Sequence, residues 1–209
     1  MGLIHDHGIS IRSPVIGVAS PRPGRPPPEA LLAGASAEVP AHRSFGERFF
    51  GALRLDPRTY EEIERDPAAL GQAAGVVALA ALAAGIGDPQ GADGAVALVG
   101  LAGALLGWLM IAALIWIVGV GCMKHRSTYP ALLRASGFAS APEIALPLGL
   151  LPLAGPIALN VACLWALAAY VVAVRQTLGV GTARAVWVCG LAFGLALLLT
   201  ALLGRLAGG

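Results

Sequence analysis

The sequence predicts an all-α integral membrane protein with five transmembrane helices, preceded by short amphipathic interfacial helices and a disordered N-terminal tail. Three observations carry that expectation. Hydrophobic residues make up 57% and charged residues 12% of the 209 positions, too little charge to cover a soluble surface. The charge is also unevenly placed: of 12 acids only Asp88, Asp93 and Glu143 lie beyond Leu70. Finally, brief polar breaks cut the rest of the chain into charge-free runs long enough to cross a bilayer.

Residues 1–44 hold Pro14, Pro21, Pro23, Pro26, Pro27, Pro28 and Pro40 among Gly, Ser and Ala, with too little apolar surface to offset chain entropy. They predict a disordered cytoplasmic tail. The apolar patch Val15–Ala19 lacks the length of a signal-peptide core, so no cleaved export signal is expected. Asp6 stands where myristoylation needs Ser or Thr. His5, His7 and His42 have no Cys or carboxylate geometry of a metal site around them and are taken as solvated.

Residues 45–67 form the amphipathic segment. Phe45, Phe49, Phe50, Leu53 and Leu55 recur at helical spacing between Glu47, Arg48 and Arg54, a pattern suited to a membrane interface. Asp56-Pro57 then supplies an N-cap and a first-turn proline for a short helix over Arg58–Arg65, and Asp66-Pro67 repeats the signal.

From residue 68 to 209 the runs predict spans at about 68–87, 95–121, 135–153, 156–174 and 185–204. Tyr129–Arg134 reads as a surface-lying turn of helix. Ala135–Val174 carries the single charge Glu143, and its forty residues make two spans, turned at Pro152–Pro156. Every second break is basic: Arg54, Arg58 and Arg65; then Lys124, Arg126 and Arg134; then Arg175 and Arg184. That alternation places the N-terminus in the cytoplasm and the C-terminus outside, with Arg205 alone against it.

From Tyr60 onward the order of elements resembles the Yip-domain family, named for Ypt-interacting proteins. The residues carrying the likeness are Tyr60-Glu61-Glu62-Ile63 with Asp66-Pro67, Ser127-Thr128-Tyr129, Leu132-Leu133, Ser136 through Pro142, the Trp165 span, and Gly179 through Ala185. The resemblance implies five spans behind a cytoplasmic segment, and the motifs that carry it hold no reactive group. Eukaryotic relatives are associated with Rab-type GTPases and carry an Asp-Leu-Tyr-Gly-Pro motif. That motif is absent from this sequence, so GTPase binding is not carried over. The Ala, Gly and Arg bias resembles the bacterial branch and implies a bacterial inner membrane.

Glu143 is the sharpest chemical candidate, because an acid about 12 Å inside a bilayer, at 1.5 Å per residue, is costly to ionise. Ser136, Ser140 and Glu143 share a helix face, Pro142 and Pro147 free nearby carbonyls, and Tyr170 on the returning span is placed at similar depth. The group either lines a small polar pathway or locks two helices together. Asn160 is expected to make a helix-packing hydrogen bond near the outer end of the fourth span. Arg48, Arg54, Arg58, Arg65, Lys124 and Arg126 are expected to contact anionic lipid headgroups.

Gly103/Gly107 and Gly190/Gly194 have GxxxG spacing, which suits close packing within the bundle or, secondarily, dimerisation. Trp108, Trp116, Trp165 and Trp187 are assigned to packing and interface anchoring in preference to a cofactor box. Cys122, Cys163 and Cys189 lack paired spacing, which points away from disulfides and zinc, although Cys122 beside the basic loop suits palmitoylation.

No nucleophile elbow, metalloprotease, P-loop or dinucleotide fingerprint occurs, so an enzyme, a cofactor and a metal are not expected. A net charge of +2 argues against nucleic acid. The expected role is a non-catalytic membrane scaffold or accessory subunit, with the bilayer and other membrane proteins or a second copy as partners. The competing role is a small transporter or channel subunit using Glu143.

Overall fold

The computed structural model describes residues 43–86, 94–122 and 127–208, and these are helical without strands. The tail expected over residues 1–42, the acidic break at 87–93, and Lys124, His125 and Arg126 lie outside the described residues. Arg43 and Ser44, taken from sequence as the end of the tail, instead begin the ordered fold.

Ser44 opens helix α1 (Phe45–Leu53) with a capping box: its hydroxyl accepts from the Glu47 amide at 3.3 Å while its own amide donates to Glu47 Oε2 at 2.7 Å. The chain reverses through Leu55, held at φ 58°, and Asp56 caps α2 (Pro57–Arg65) by accepting from the Arg58 amide at 3.2 Å. Both helices fall where the apolar spacing and the Asp-Pro signal put them.

The long helices follow as α3 (Ala69–Ile86), α4 (Gly94–Trp116), α6 (Gly155–Leu178) and α7 (Thr182–Gly208). A π-helical segment, Ile117–Cys122, extends α4. Between α4 and α6 lie the short helix α5 (Tyr129–Ala139) and a 3₁₀ segment, Ala141–Leu150. Gly179, at φ 62°, ends α6 in the left-handed conformation that glycine adopts without steric cost. Four described helices are long and apolar enough to cross a membrane: α3, α4 with its extension to Gly121, α6, and α7 as far as Leu206.

The third expected span, 135–153, is therefore not a continuous membrane-length α-helix. Pro147 has no amide hydrogen, and its ring would clash with the carbonyl of Glu143 four residues back. Pro142 and Pro147 also disfavour the α conformation at Ala141 and Leu146 before them. The chain answers with one α-helix that stops at Ala139 and tighter 3₁₀ turns beyond it. The start of this stretch is not surface-lying either, since Ala131 through Pro142 are buried. Both α5 and the 3₁₀ segment pack against α3 and α6, so this broken element fills the middle of the bundle.

Closest approach between helices occurs at glycines outside the GxxxG pairs. A β-carbon on Gly137 of α5 would sit 2.7 Å from Ala73 Cβ on α3, and one on Gly119 would sit 2.6 Å from Leu178 Cδ1. At Gly103, Gly107, Gly190 and Gly194 a β-carbon would meet nothing within 4 Å, so these do not mediate packing within the chain.

Candidate functional site

Two polar assemblies stand out against the apolar bundle. The first lies within it. Breaking the helix at Ser140 turns the following residues into 3₁₀ geometry and sets Ser140 and Glu143 beside α6. Ser140 Oγ and Tyr170 Oη are hydrogen-bonded at 3.0 Å, both side chains buried. Glu143 shares a cleft of about 320 Å³ with Ser140, Tyr170 and Trp108, where α3, α4, α6 and α7 meet. Its carboxylate makes no hydrogen bond and no ion pair among the described residues.

Ser136, expected on one helix face with Ser140 and Glu143, lies in α5 before the break and serves a different purpose. Its hydroxyl donates to the Leu133 carbonyl and accepts from Trp108 Nε1, each at 3.1 Å, while the same indole reaches Leu133 O at 3.1 Å. Trp108 is thereby fixed as one wall of the cleft. Asn160 is not part of this group: exposed on α6, its amide donates to the Pro156 carbonyl one turn back at 2.7 Å.

The second assembly joins α1 and α2 to the start of α3. Arg48 is 1% exposed. Its Nε and Nη2 donate to Glu62 Oε1 at 3.1 and 3.0 Å, Nη2 also reaches Asp66 Oδ2 at 2.5 Å, and Nη1 donates to Gln72 Oε1 at 3.0 Å. Burial alone would lower its pKa, but the Asp66 and Glu62 carboxylates more than offset that and raise it. The expectation that Arg48 contacts lipid headgroups is thus corrected: on an amphipathic helix it sits on the inward side, where two carboxylates and an amide consume its donors. Arg54, Arg58 and Arg65 do point outward and are exposed.

The same unit is tied down at three more places. Arg134, buried on α5, donates through Nε to Ile63 O at 3.2 Å and through Nη2 to Glu64 O, satisfying carbonyls at the C-terminal end of α2 with a cation. Trp165 on α6 donates to Leu53 O at 2.9 Å, the carbonyl closing α1. Arg43 donates to Thr59 Oγ1 at 2.7 Å, and that hydroxyl donates in turn to Asp56 Oδ2 at 2.8 Å. The Thr59 hydrogen bond holds the Asp56 carboxyl below the usual carboxylate range, while burial pushes the Tyr60 phenol up.

Gln72 and Arg134 were not singled out from sequence. The signal for Arg134 was a lone cation one turn inside an apolar run, which is tolerated only beside carbonyls or carboxylates. Gln72 carried an analogous signal, a polar residue on the first turn of an otherwise apolar span.

The model of one protein family, the Yip1 domain, matches residues 50–203. No curated protein and no solved structure matches the chain.

Proposed function

The chain belongs to the Yip1-domain family of multi-pass membrane proteins, and from that premise we propose that it is a non-catalytic scaffold or accessory subunit binding other membrane components. The observation that supports this reading most directly is the buried Arg48 cluster. It joins α1, α2 and α3 as one unit and leaves Arg54, Arg58 and Arg65 on the outside. A basic surface held in fixed geometry loses little conformational entropy on meeting an anionic partner or headgroup. Amphipathic residues 45–67 would then form the cytoplasmic face of the 68–209 bundle in a bacterial inner membrane.

Purification from the host in native nanodiscs, with mass spectrometry of co-eluting proteins, tests this reading. A stoichiometric partner retained by Glu143→Gln and lost from the Arg54→Gln/Arg58→Gln/Arg65→Gln variant is expected. A solitary protein whose proton or solute flux in vesicles disappears in Glu143→Gln would overturn it in favour of a transporter. The apolar walls of the Glu143 cleft weigh against a continuous polar pathway.

The topology within this proposal is five crossings, the third made by the broken element. At 1.5 Å per α residue and 2.0 Å per 3₁₀ residue, the 11 residues of α5 and the 10 of the 3₁₀ segment rise about 35 Å, against a hydrocarbon core of roughly 30 Å. In a variant lacking native cysteines, a cysteine at Leu153, which is fully exposed, is expected to react with a membrane-impermeant maleimide from the side opposite to one at Thr128, exposed just before α5. Labelling of Leu153→Cys from the side of Thr128→Cys instead would make the element re-entrant and leave four crossings.

A further inference from the structure

We infer that the cleft at Glu143 is a binding site for a single-chain lipophilic amine, with Glu143 as counter-ion to the ammonium. This goes beyond the scaffold reading and does not depend on it. The cleft combines three features that few ligands satisfy together. Its volume, about 320 Å³, lies in the range of small-molecule sites. Its walls are apolar, contributed by Val77, Ala80, Ile111 and Ala196 among others, with no Lys or Arg in the lining among the described residues. At its floor stands a carboxylate that no described group pairs with, beside the Ser140–Tyr170 hydroxyl pair.

A carboxylate in such surroundings is balanced by a proton or by a cation that the ligand brings. A hard metal ion fits poorly, since calcium takes six to eight oxygen ligands and magnesium a near-octahedral set. One carboxylate and two hydroxyls backed by aliphatic walls cannot supply either. A primary ammonium has three donors and no acceptor. Glu143 can take the charge-assisted bond, and the Ser140 and Tyr170 oxygens keep lone pairs after sharing one hydrogen between them.

The alkyl chain also has a place to go. Ala81, Ala84 and Ala104 line both this cleft and a second hollow of about 430 Å³ that continues between α3 and α4 past Gly85, Val96 and Gly100. Small side chains keep that passage open along the two helices. A linear chain fits its shape and loses no hydrogen bonds on entering.

Equilibrium binding of radiolabelled dodecylamine to the full chain in phosphatidylcholine nanodiscs, with empty-disc partitioning subtracted, tests this inference. Wild type is expected to show one saturable site, and Glu143→Gln a site at least tenfold weaker. Glu143→Asp, which keeps the charge, should retain saturable binding, and dodecanol, with the same chain and no charge, should show none in wild type. Equal binding by Glu143→Gln, equal binding of dodecanol, or no saturable component in wild type would each overturn the assignment. The dodecanol comparison uses wild type alone and stands even if a variant fails to fold.

Discussion

Replacing Arg48 with methionine is expected to destabilise the fold by about 3–5 kcal/mol, the cost of removing one partner from a buried ion pair. Methionine fills much of the space but supplies none of the donors that now reach Glu62, Asp66 and Gln72. Glu62 would keep Arg43 at 3.1 Å, but both carboxylates, only 29% and 11% exposed at their side chains, would lose the cation that bridges them. Lysine in the same place keeps the charge. One ammonium cannot span all three acceptors, so Arg48→Lys should fall between wild type and methionine. A triple variant, Arg48→Met with Glu62→Gln and Asp66→Asn, should recover part of the loss, because it removes the two bridged charges together with the cation that bridges them. Thermal unfolding in mild detergent reads all three. If Arg48→Met melted with wild type, the cluster would not be what holds α1 and α2 on the bundle.

The sequence and the structure part where hydrogen bonding overrules hydropathy. Spans α3, α4, α6 and α7 were legible because each is built on a long charge-free run, with charges in α6 and α7 confined to Arg175, Arg184 and Arg205 near their ends, and its α-helix meets nothing that breaks it. Residues 135–153 are equally apolar, and counting apolar residues cannot detect that Pro142 and Pro147 remove the amides an α-helix needs there. The Ser44–Glu47 capping box went unread in the sequence, where Ser44 was counted with the tail. Arg48 shows a different limit. Amphipathic spacing shows that a cation leaves the apolar stripe, but not whether it meets water or a carboxylate on the next helix. Ser140 and Glu143 were grouped by helical spacing and Tyr170 by depth, whereas Trp108 joined them through a contact between α4 and α5 that no local pattern marks. The GxxxG pairs failed for the converse reason. Spacing permits close approach but does not place a neighbour there, and among the described residues none is present.

Gly137 is where that neighbour exists, and Gly137→Ala is expected to destabilise the protein by about 1–3 kcal/mol through overpacking. Helix propensity pulls the other way, favouring alanine over glycine by up to about 1 kcal/mol. The steric side wins because the added carbon would lie 2.7 Å from Ala73 Cβ and 3.1 Å from both Ala73 O and Trp108 Cζ2. None of these is the far end of a flexible side chain: the carbonyl belongs to the α3 backbone, and the indole is held by two hydrogen bonds. Adding Ala73→Gly removes the closest contact and leaves the carbonyl, so the double variant should recover part of the loss, with a coupling on the order of 1 kcal/mol. Gly103→Ala on α4, where a β-carbon meets nothing, should be neutral or stabilising in the same thermal assay. Equal melting of Gly137→Ala and Gly103→Ala would mean that α5 and α3 separate at little cost. In that case the wall that sets Trp108 and Ser140 around Glu143 would be loose as well, and amine binding at the cleft should weaken with it.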